Sequence, residues 1–182
     1  MDGATALSSR ASLRSGMPTT AEKGYGALTS PYFHGLRDDL PVTTDAGYSG
    51  TPLVRKLGIK PGHRVAFVNA PAEFSVPGTE GARIETTVTT SISSYDVILV
   101  FCPDSIALHT HFQRLAAVLV PNGALWVCWP KRASGVPTDL DENVVRDWGL
   151  AAGLVDVKVC AVDATWSGLK FVVRLADRER RP

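Results

Sequence analysis

The sequence lacks the features that mark several large classes of protein. Its 19 Lys and Arg balance 18 Asp and Glu, so the net charge of +1 gives no basic excess for nucleic acid. No apolar run approaches the roughly 20 residues that cross a bilayer, and no secretory signal opens the chain. We therefore expect a cytoplasmic protein with no nucleic-acid or membrane partner and with homo-oligomers left open.

Cysteine and known catalytic motifs are also scarce. The three cysteines, Cys102, Cys128 and Cys160, are widely spaced among apolar neighbours, which favours buried thiols over disulfides or a metal site. His109 and His111 are two residues apart on a predicted helix and cannot chelate a metal together. There is neither a G-x-x-x-x-G-K loop nor a G-x-S-x-G elbow. A Ser-His-Asp triad stays open, because its members need not be close in sequence.

Composition divides the chain into three parts. Residues 1–45 are rich in Ser, Thr, Gly and Ala without a sustained period, which predicts a disordered tail. Residues 46–176 form the predicted folded domain. Residues 177–182, with three arginines, are predicted to be a disordered basic end.

Strands and helices alternate along the predicted domain. The run YDVILVFC is almost wholly apolar, which is typical of a parallel strand buried on both faces. The short link Asp163–Gly168 predicts that the last two strands form an antiparallel hairpin. The predicted strands are Arg64–Asn69, Arg83–Thr89, Tyr95–Cys102, Ala124–Trp129, Val155–Val162 and Leu169–Leu175. The predicted helices are Thr51–Lys56, Ser105–Leu119 and one that Thr138 or Asp139 caps and Gly153 ends.

This order predicts an α/β protein with a doubly wound sheet. LGIKPGHRVAFV, YDVILV and LVPNGALWV, within Leu53–Leu175, resemble segments of the class I methyltransferase variant of the Rossmann fold. The resemblance implies a mostly parallel sheet with helices on its faces, a final strand inserted antiparallel, and S-adenosylmethionine as the cofactor. The links between the first three strands are short, so the fold is predicted to be reduced by two helices and a strand.

Three further segments are similar to a bacterial family of unknown function. They are YSGTPL at Tyr48–Leu53, GALWVCWPK at Gly123–Lys131 and WSGLKFV at Trp166–Val172. This similarity implies no activity.

The predicted cofactor turn departs from the methyltransferase pattern. Strand one runs into NAPAEF, where no glycine is present and Pro71 has no amide donor. The predicted second strand ends without a carboxylate and holds only Glu85, so Glu73 in the turn is the one substitute for the ribose-binding acid. Asn69 and Glu73 therefore mark a degenerate cofactor loop. We expect no cofactor, with S-adenosylmethionine as the alternative.

The loops after the fourth and fifth strands carry the candidate binding residues. If the hairpin inserts beside strand four, these loops face each other at the carboxyl ends of the strands, where ligands bind in such sheets. Indoles, cations and hydroxyls there could hold an anionic or aromatic ligand, or a partner's loop. Alternatively, both tryptophans cap the core and Lys131 pairs with Asp163. The candidates are Trp129, Lys131, Ser134, Asp163, Trp166 and Ser167, with Arg132 and Lys170 beside them.

Three functions follow from these patterns. The first is a non-enzymatic or cryptically active Rossmann-like module that binds an unknown small molecule or protein through these loops. The second is a small S-adenosylmethionine-dependent methyltransferase with a rebuilt cofactor loop. The third is an interaction protein that dimerises through a sheet edge.

Overall fold

The computed structural model describes residues 50–89 and 94–181. The tail predicted at residues 1–45 lies outside this part and stays a prediction. None of the helices in the described part is long and apolar enough to cross a membrane. The strands are β1 (Arg64–Val68), β2 (Arg83–Glu85), β3 (Tyr95–Phe101), β4 (Leu119–Pro130), β5 (Leu154–Ala161) and β6 (Trp166–Val173). The helices are α1 (Leu53–Leu57), α2 (Ser105–Ala117), α3 (Glu142–Ala151) and α4 (Leu175–Arg178).

The strands form one sheet in the order β2-β1-β3-β4-β6-β5. Strands β2, β1, β3 and β4 pair in parallel, and β6 pairs antiparallel with both β4 and β5. The predicted hairpin and its insertion beside the fourth strand are therefore confirmed. The mostly parallel, reduced Rossmann-like α/β sheet is confirmed with them.

The sheet separates two apolar cores. Helices α2 and α3 pack on one face, where Phe112 of α2 meets Phe171 of β6 edge to face with ring centroids 5.7 Å apart. Helix α1 packs on the other face. There the fully buried Trp126 donates its indole N–H to the Leu57 carbonyl at 3.1 Å, which ties the end of α1 to the middle of β4. Leu108, Phe112 and Leu115 of α2 are buried, as their spacing along one side of a helix indicates.

Strand β4 starts earlier than the sequence indicates. Pro121–Gly123, which precede the predicted strand Ala124–Trp129, lie inside β4 as a bulge. Tyr95 of β3 pairs with Leu119 of β4, and the next pair is Val97 with Ala124, so β4 has extra residues between the two pairs. The bulge needs glycine, because a Cβ on Gly123 would lie 2.9 Å from the Tyr95 carbonyl oxygen.

The cap of α3 also differs from the prediction. Asp141 caps the helix through hydrogen bonds from two backbone amides at its start. Asp139, one of the two predicted caps, instead accepts hydrogen bonds from the amide (2.8 Å) and hydroxyl (2.5 Å) of Ser105. It thus links the segment before α3 to the start of α2.

The end of the chain is more ordered than its composition indicates. Where residues 177–182 were predicted to be a disordered basic end, the described residues continue from α4 and carry specific contacts. Arg178 donates to the Asn122 side-chain oxygen at 2.9 Å, and Arg181 donates to the Ala116 carbonyl at 2.6 Å. The arginines therefore satisfy polar groups of the β4 bulge and of the end of α2.

We expect Gly149→Ala to lower the free energy of unfolding by about 3 kcal/mol. A Cβ at this buried position of α3 would lie 2.0 Å from the Phe171 ring, although alanine ordinarily favours a helix. Urea denaturation measures the loss. Gly50→Ala is the control, since nothing lies within 4 Å of its Cβ position. A loss below that of the control would contradict the packing described here.

Candidate functional site

The turn after β1 contains a left-handed residue, as glycine turns do, although it has no glycine. Asn69 follows the last residue of β1 with a φ of 53°, and it is the one non-glycine residue with positive φ among those described. Asparagine tolerates this left-handed region better than other residues that carry a Cβ. Although the turn has no glycine, Asn69 gives it the left-handed backbone that glycine ordinarily supplies, and asparagine is the sequence signal for it.

The Asn69 side chain is held by helix α2. Its amide nitrogen lies 2.9 Å from Nε2 of His111. Burial, and to a smaller extent the charge of Arg114, lowers the pKa of His111, which favours the neutral imidazole that can accept this hydrogen bond. His109 packs instead against Trp148, with ring centroids 5.4 Å apart. Within residues 50–89 and 94–181, no three His, Cys, Asp or Glu side chains are grouped to hold a metal ion.

The rest of the turn closes the sheet face with an aromatic ring. Phe74 lies between Phe67 of β1 (5.3 Å between ring centroids) and Phe101 of β3 (4.7 Å). Phe101 in turn meets Trp166 of β6 at 5.1 Å, so a row of edge-to-face rings crosses the sheet near the carboxyl ends of its parallel strands. Glu73, next to Phe74, is exposed and has no hydrogen bond or ion pair with the part of the chain that the structure describes.

Glu85 is the last residue of β2, whereas the sequence indicated a strand that continues to Thr89. Its carboxylate binds Arg64 at 2.9 and 3.0 Å, Arg83 at 3.0 Å and the buried Tyr95 hydroxyl at 2.5 Å. The hydrogen bond from Arg64 first, and that from Tyr95 second, lower the pKa of Glu85 to about 2. The Glu85 carboxylate is therefore already bound by side chains of the protein and is not free to bind ribose hydroxyls.

The residues that follow β3 also have structural roles. Cys102 is fully buried, and burial raises the pKa of its thiol to about 12, which makes it a poor nucleophile. Asp104 caps α2 by accepting the Ala107 amide at 2.8 Å.

The two tryptophans of the predicted binding rim lie on opposite faces of the sheet. Trp129 is 6% exposed and belongs to the core under α2 and α3. Trp166 is half-buried and packs with the core on the other face. In the β4–β6 register Trp166 pairs with Pro130 and not with Trp129. The two indoles therefore do not form one aromatic pocket.

The polar residues of the rim do meet, and they bond largely to one another. The Lys131 amino group donates to the Asp163 carbonyl oxygen at 2.5 Å, and the Asp163 carboxylate accepts the amides of Thr165 and Trp166. Ser134 donates to the Lys131 carbonyl at 2.7 Å. Lys131 thus contacts Asp163, as the alternative prediction states, but it binds the backbone carbonyl and not the carboxylate. The predicted residues that gather at this rim are Lys131, Ser134, Asp163, Trp166 and Ser167.

An open cavity of about 530 Å³ lies beside β2, away from the predicted rim. Its wall is polar and includes the ion-paired cluster around Glu85. It is lined by Arg64, Arg83, Ile84, Glu85, Thr86, Thr87 and Thr89. Apart from Glu85, none of the residues that line this cavity is a candidate site residue from the sequence.

Several solved structures that resemble this chain are described as methyltransferases. A methyltransferase from Aquifex aeolicus that depends on S-adenosylmethionine is 15% identical, with a TM-score of 0.52, and the match covers 67% of this chain and 88% of that one. A 1,6-didemethyltoxoflavin-N1-methyltransferase from Burkholderia thailandensis, with bound S-adenosylhomocysteine, is 15% identical over 65% and 73% (TM-score 0.47). A TehB-like methyltransferase from Corynebacterium glutamicum is 8% identical over 67% and 85% (TM-score 0.43).

The similarity to the Aquifex aeolicus structure shows the class I methyltransferase-like Rossmann fold. No protein-family model matches the sequence, and no curated protein matches it significantly. The comparisons therefore give no support to the bacterial family indicated by YSGTPL, GALWVCWPK and WSGLKFV.

We expect Glu85→Gln to flatten the acid limb of the stability profile. The pKa of Glu85 is about 2 in the folded protein against an ordinary value of 4.5. Its ionisation therefore stabilises the fold above pH 4.5, and this stabilisation is lost as the pH falls from 4.5 towards 2. Thermal melts from pH 7 to 2 measure the profile, with the exposed Glu80→Gln as control. An acid limb in Glu85→Gln as steep as that of the wild type would contradict the assignment.

Proposed function

We propose that this chain binds S-adenosylmethionine at the turn after β1 and is a methyltransferase of the class I type with a rebuilt cofactor loop. The observation that carries the proposal is the left-handed conformation of Asn69 at the end of β1. In nucleotide-binding α/β domains, a turn of this kind at this place lets the backbone approach the ligand closely. The shared fold supports the same class of ligand.

The residues of the turn fit an adenosyl ligand. Ala70 and Ala72 are small, and Ala72 and Glu73 are exposed, so a ligand can approach the backbone here without displacing a large side chain. The unpaired carboxylate of Glu73 can accept hydrogen bonds from ribose hydroxyls, the role that Glu85 is not free to fill. When bound, S-adenosylmethionine supplies an electrophilic methyl group. Asn69 would fix the backbone of the turn, and His111 would hold Asn69 in place.

We expect calorimetric titration with S-adenosylhomocysteine to give a Kd below about 100 μM, which corresponds to more than about 5 kcal/mol of binding free energy. Glu73→Gln should weaken binding about tenfold, because an amide accepts hydrogen bonds from hydroxyls less strongly than a carboxylate. Glu80→Gln is the matched control, being a second exposed glutamate before β2, and should bind as the wild type does.

Substitution of Asn69 tests the turn itself within the same titration. Asn69→Gly keeps the left-handed conformation and should keep binding, whereas Asn69→Val opposes it and should lose binding. Circular dichroism verifies that both variants are folded. The proposal fails if the wild type shows no binding at about 1 mM ligand, or if Glu73→Gln binds as tightly as the wild type.

A second candidate is a binding module that uses the loops after β4 and β5. The observation that favours it is the half-buried Trp166, which lies beside Lys131 and Ser167 at one rim. A flat indole next to a lysine suits an aromatic or anionic small molecule, or a loop of a partner protein. If this candidate is right, the ion pair between Glu85 and Arg64 would mean that the protein has lost the ability to bind the cofactor.

We expect Lys131→Ala to abolish the thermal shift produced by any ligand of this rim, because Lys131 supplies its cation. The measurement is a thermal-shift screen of anionic aromatic compounds against the wild type, repeated on the variant. Lys60→Ala, an exposed lysine outside these loops, is the control. An unchanged shift in Lys131→Ala would exclude the rim as the binding site.

No observation favours the third candidate, pairing through a sheet edge. Strand β2 is three residues long. Strand β5 has a register shift between Asp156 and Lys158, although Val155, Val157 and Val159 are exposed. Short strands, bulges and lysines are the usual means by which proteins block pairing at an edge.

A further inference from the structure

Lysines gather around Cys160 and Trp126 on the sheet face opposite α2 and α3. The Lys158 amino group lies 5.7 Å from the centre of the Trp126 ring, and Lys170 pairs with Trp126 in the β4–β6 register. The charges of Lys56 and Lys131 also act on Cys160, although burial of the thiol dominates and raises its pKa. We call these residues, Lys56, Lys131, Lys158 and Lys170, the lysine face.

Two members of the lysine face oppose each other directly. Lys158 of β5 and Lys170 of β6 are partners in the antiparallel register. Like charges in such a pair destabilise a sheet. Lys170 is half-buried, and burial first and the charge of Lys158 second lower its pKa. The pair therefore has an electrostatic cost, although a lysine on the edge strand β5 also helps to block pairing at that edge.

None of the four lysines of this face forms an ion pair with an acid among the described residues. In residues 50–89 and 94–181, every ion pair is formed by an arginine. Lys170 is at the same time close to the end of α1, since its amino group lies 3.9 Å from the Cβ position of Gly58. The cations are thus gathered between α1 and β5, and Asp163, the acid beside Lys131, binds it through its backbone carbonyl and not through its carboxylate.

We infer that the lysine face binds a phosphate-bearing anion, with Lys158 and Lys170 as its main contacts. Ammonium groups are compact donors that bind phosphate as point charges. A ligand with at least two negative charges would convert the repulsion between the facing lysines into attraction for a shared partner. This site lies away from the Asn69 turn on the chain and in the sheet, so it does not depend on the proposed function.

The test is a titration of the full chain with sodium pyrophosphate at constant ionic strength, followed by calorimetry and thermal melting. We expect saturable binding with a Kd below about 1 mM and a rise in Tm. Lys158→Gln should weaken binding at least about tenfold. Without ligand, the same variant should melt at a higher temperature than the wild type in low salt, because the like-charge pair is gone.

Two further variants and one spectroscopic measurement separate binding from misfolding. Lys158→Arg keeps the charge and should keep binding, and Lys60→Gln should respond as the wild type does. NMR titration of the Lys170 ammonium should show its pKa rising when pyrophosphate saturates the protein, because an anion favours the charged form. The inference is overturned if sodium chloride of equal ionic strength reproduces the Tm rise. It is also overturned if Lys158→Gln binds as tightly as the wild type.

Discussion

The bonds of the Glu85 carboxylate hold the β2 edge of the sheet in place. Two arginines and a buried tyrosine hydroxyl hold this one carboxylate. Because Tyr95 starts β3 and Arg64 starts β1, the cluster joins β2 to the amino-terminal ends of its neighbours. An acid held in this way stabilises the short β2, and it cannot also bind a ligand at the carboxyl ends of the strands. A ligand at the carboxyl ends must therefore be held by other residues, such as those of the turn after β1 or of the loops after β4 and β5.

That turn combines three features that are separate in sequence. Asn69 provides a left-handed backbone, His111 of α2 holds its side chain, and Phe74 packs over β1 and β3 where a crossover helix is missing. The result is a short loop with a defined shape, anchored on both faces of the sheet. The short link between β1 and β2 can thus form an ordered turn, because the packing of Phe74 takes the place of the missing crossover helix.

Much of the fold could be predicted from the sequence, and less of the site. Apolar runs such as YDVILVFC identify buried strands whatever their partners, and the short Asp163–Gly168 link permits only a hairpin. The site depends on register and on distant pairs. Trp166 pairs with Pro130, one residue from Trp129, and this single step places the two indoles on opposite faces. Likewise, β2 ends where Arg64 binds Glu85 across 21 residues of sequence, a contact that no local pattern indicates.

The position of β6 has a consequence for how the protein is made. This strand lies between β4 and β5, yet both of them leave the ribosome before it. During synthesis β4 can pair with β3 but keeps an open apolar edge until β6 arrives, and β5 has no partner at all. Nascent chains that stall before residue 166 would expose buried residues such as Leu125 and Val127 of β4, a form that chaperones and proteases recognise. The sheet is therefore complete only when β6, the last strand to be synthesised, has inserted between β4 and β5.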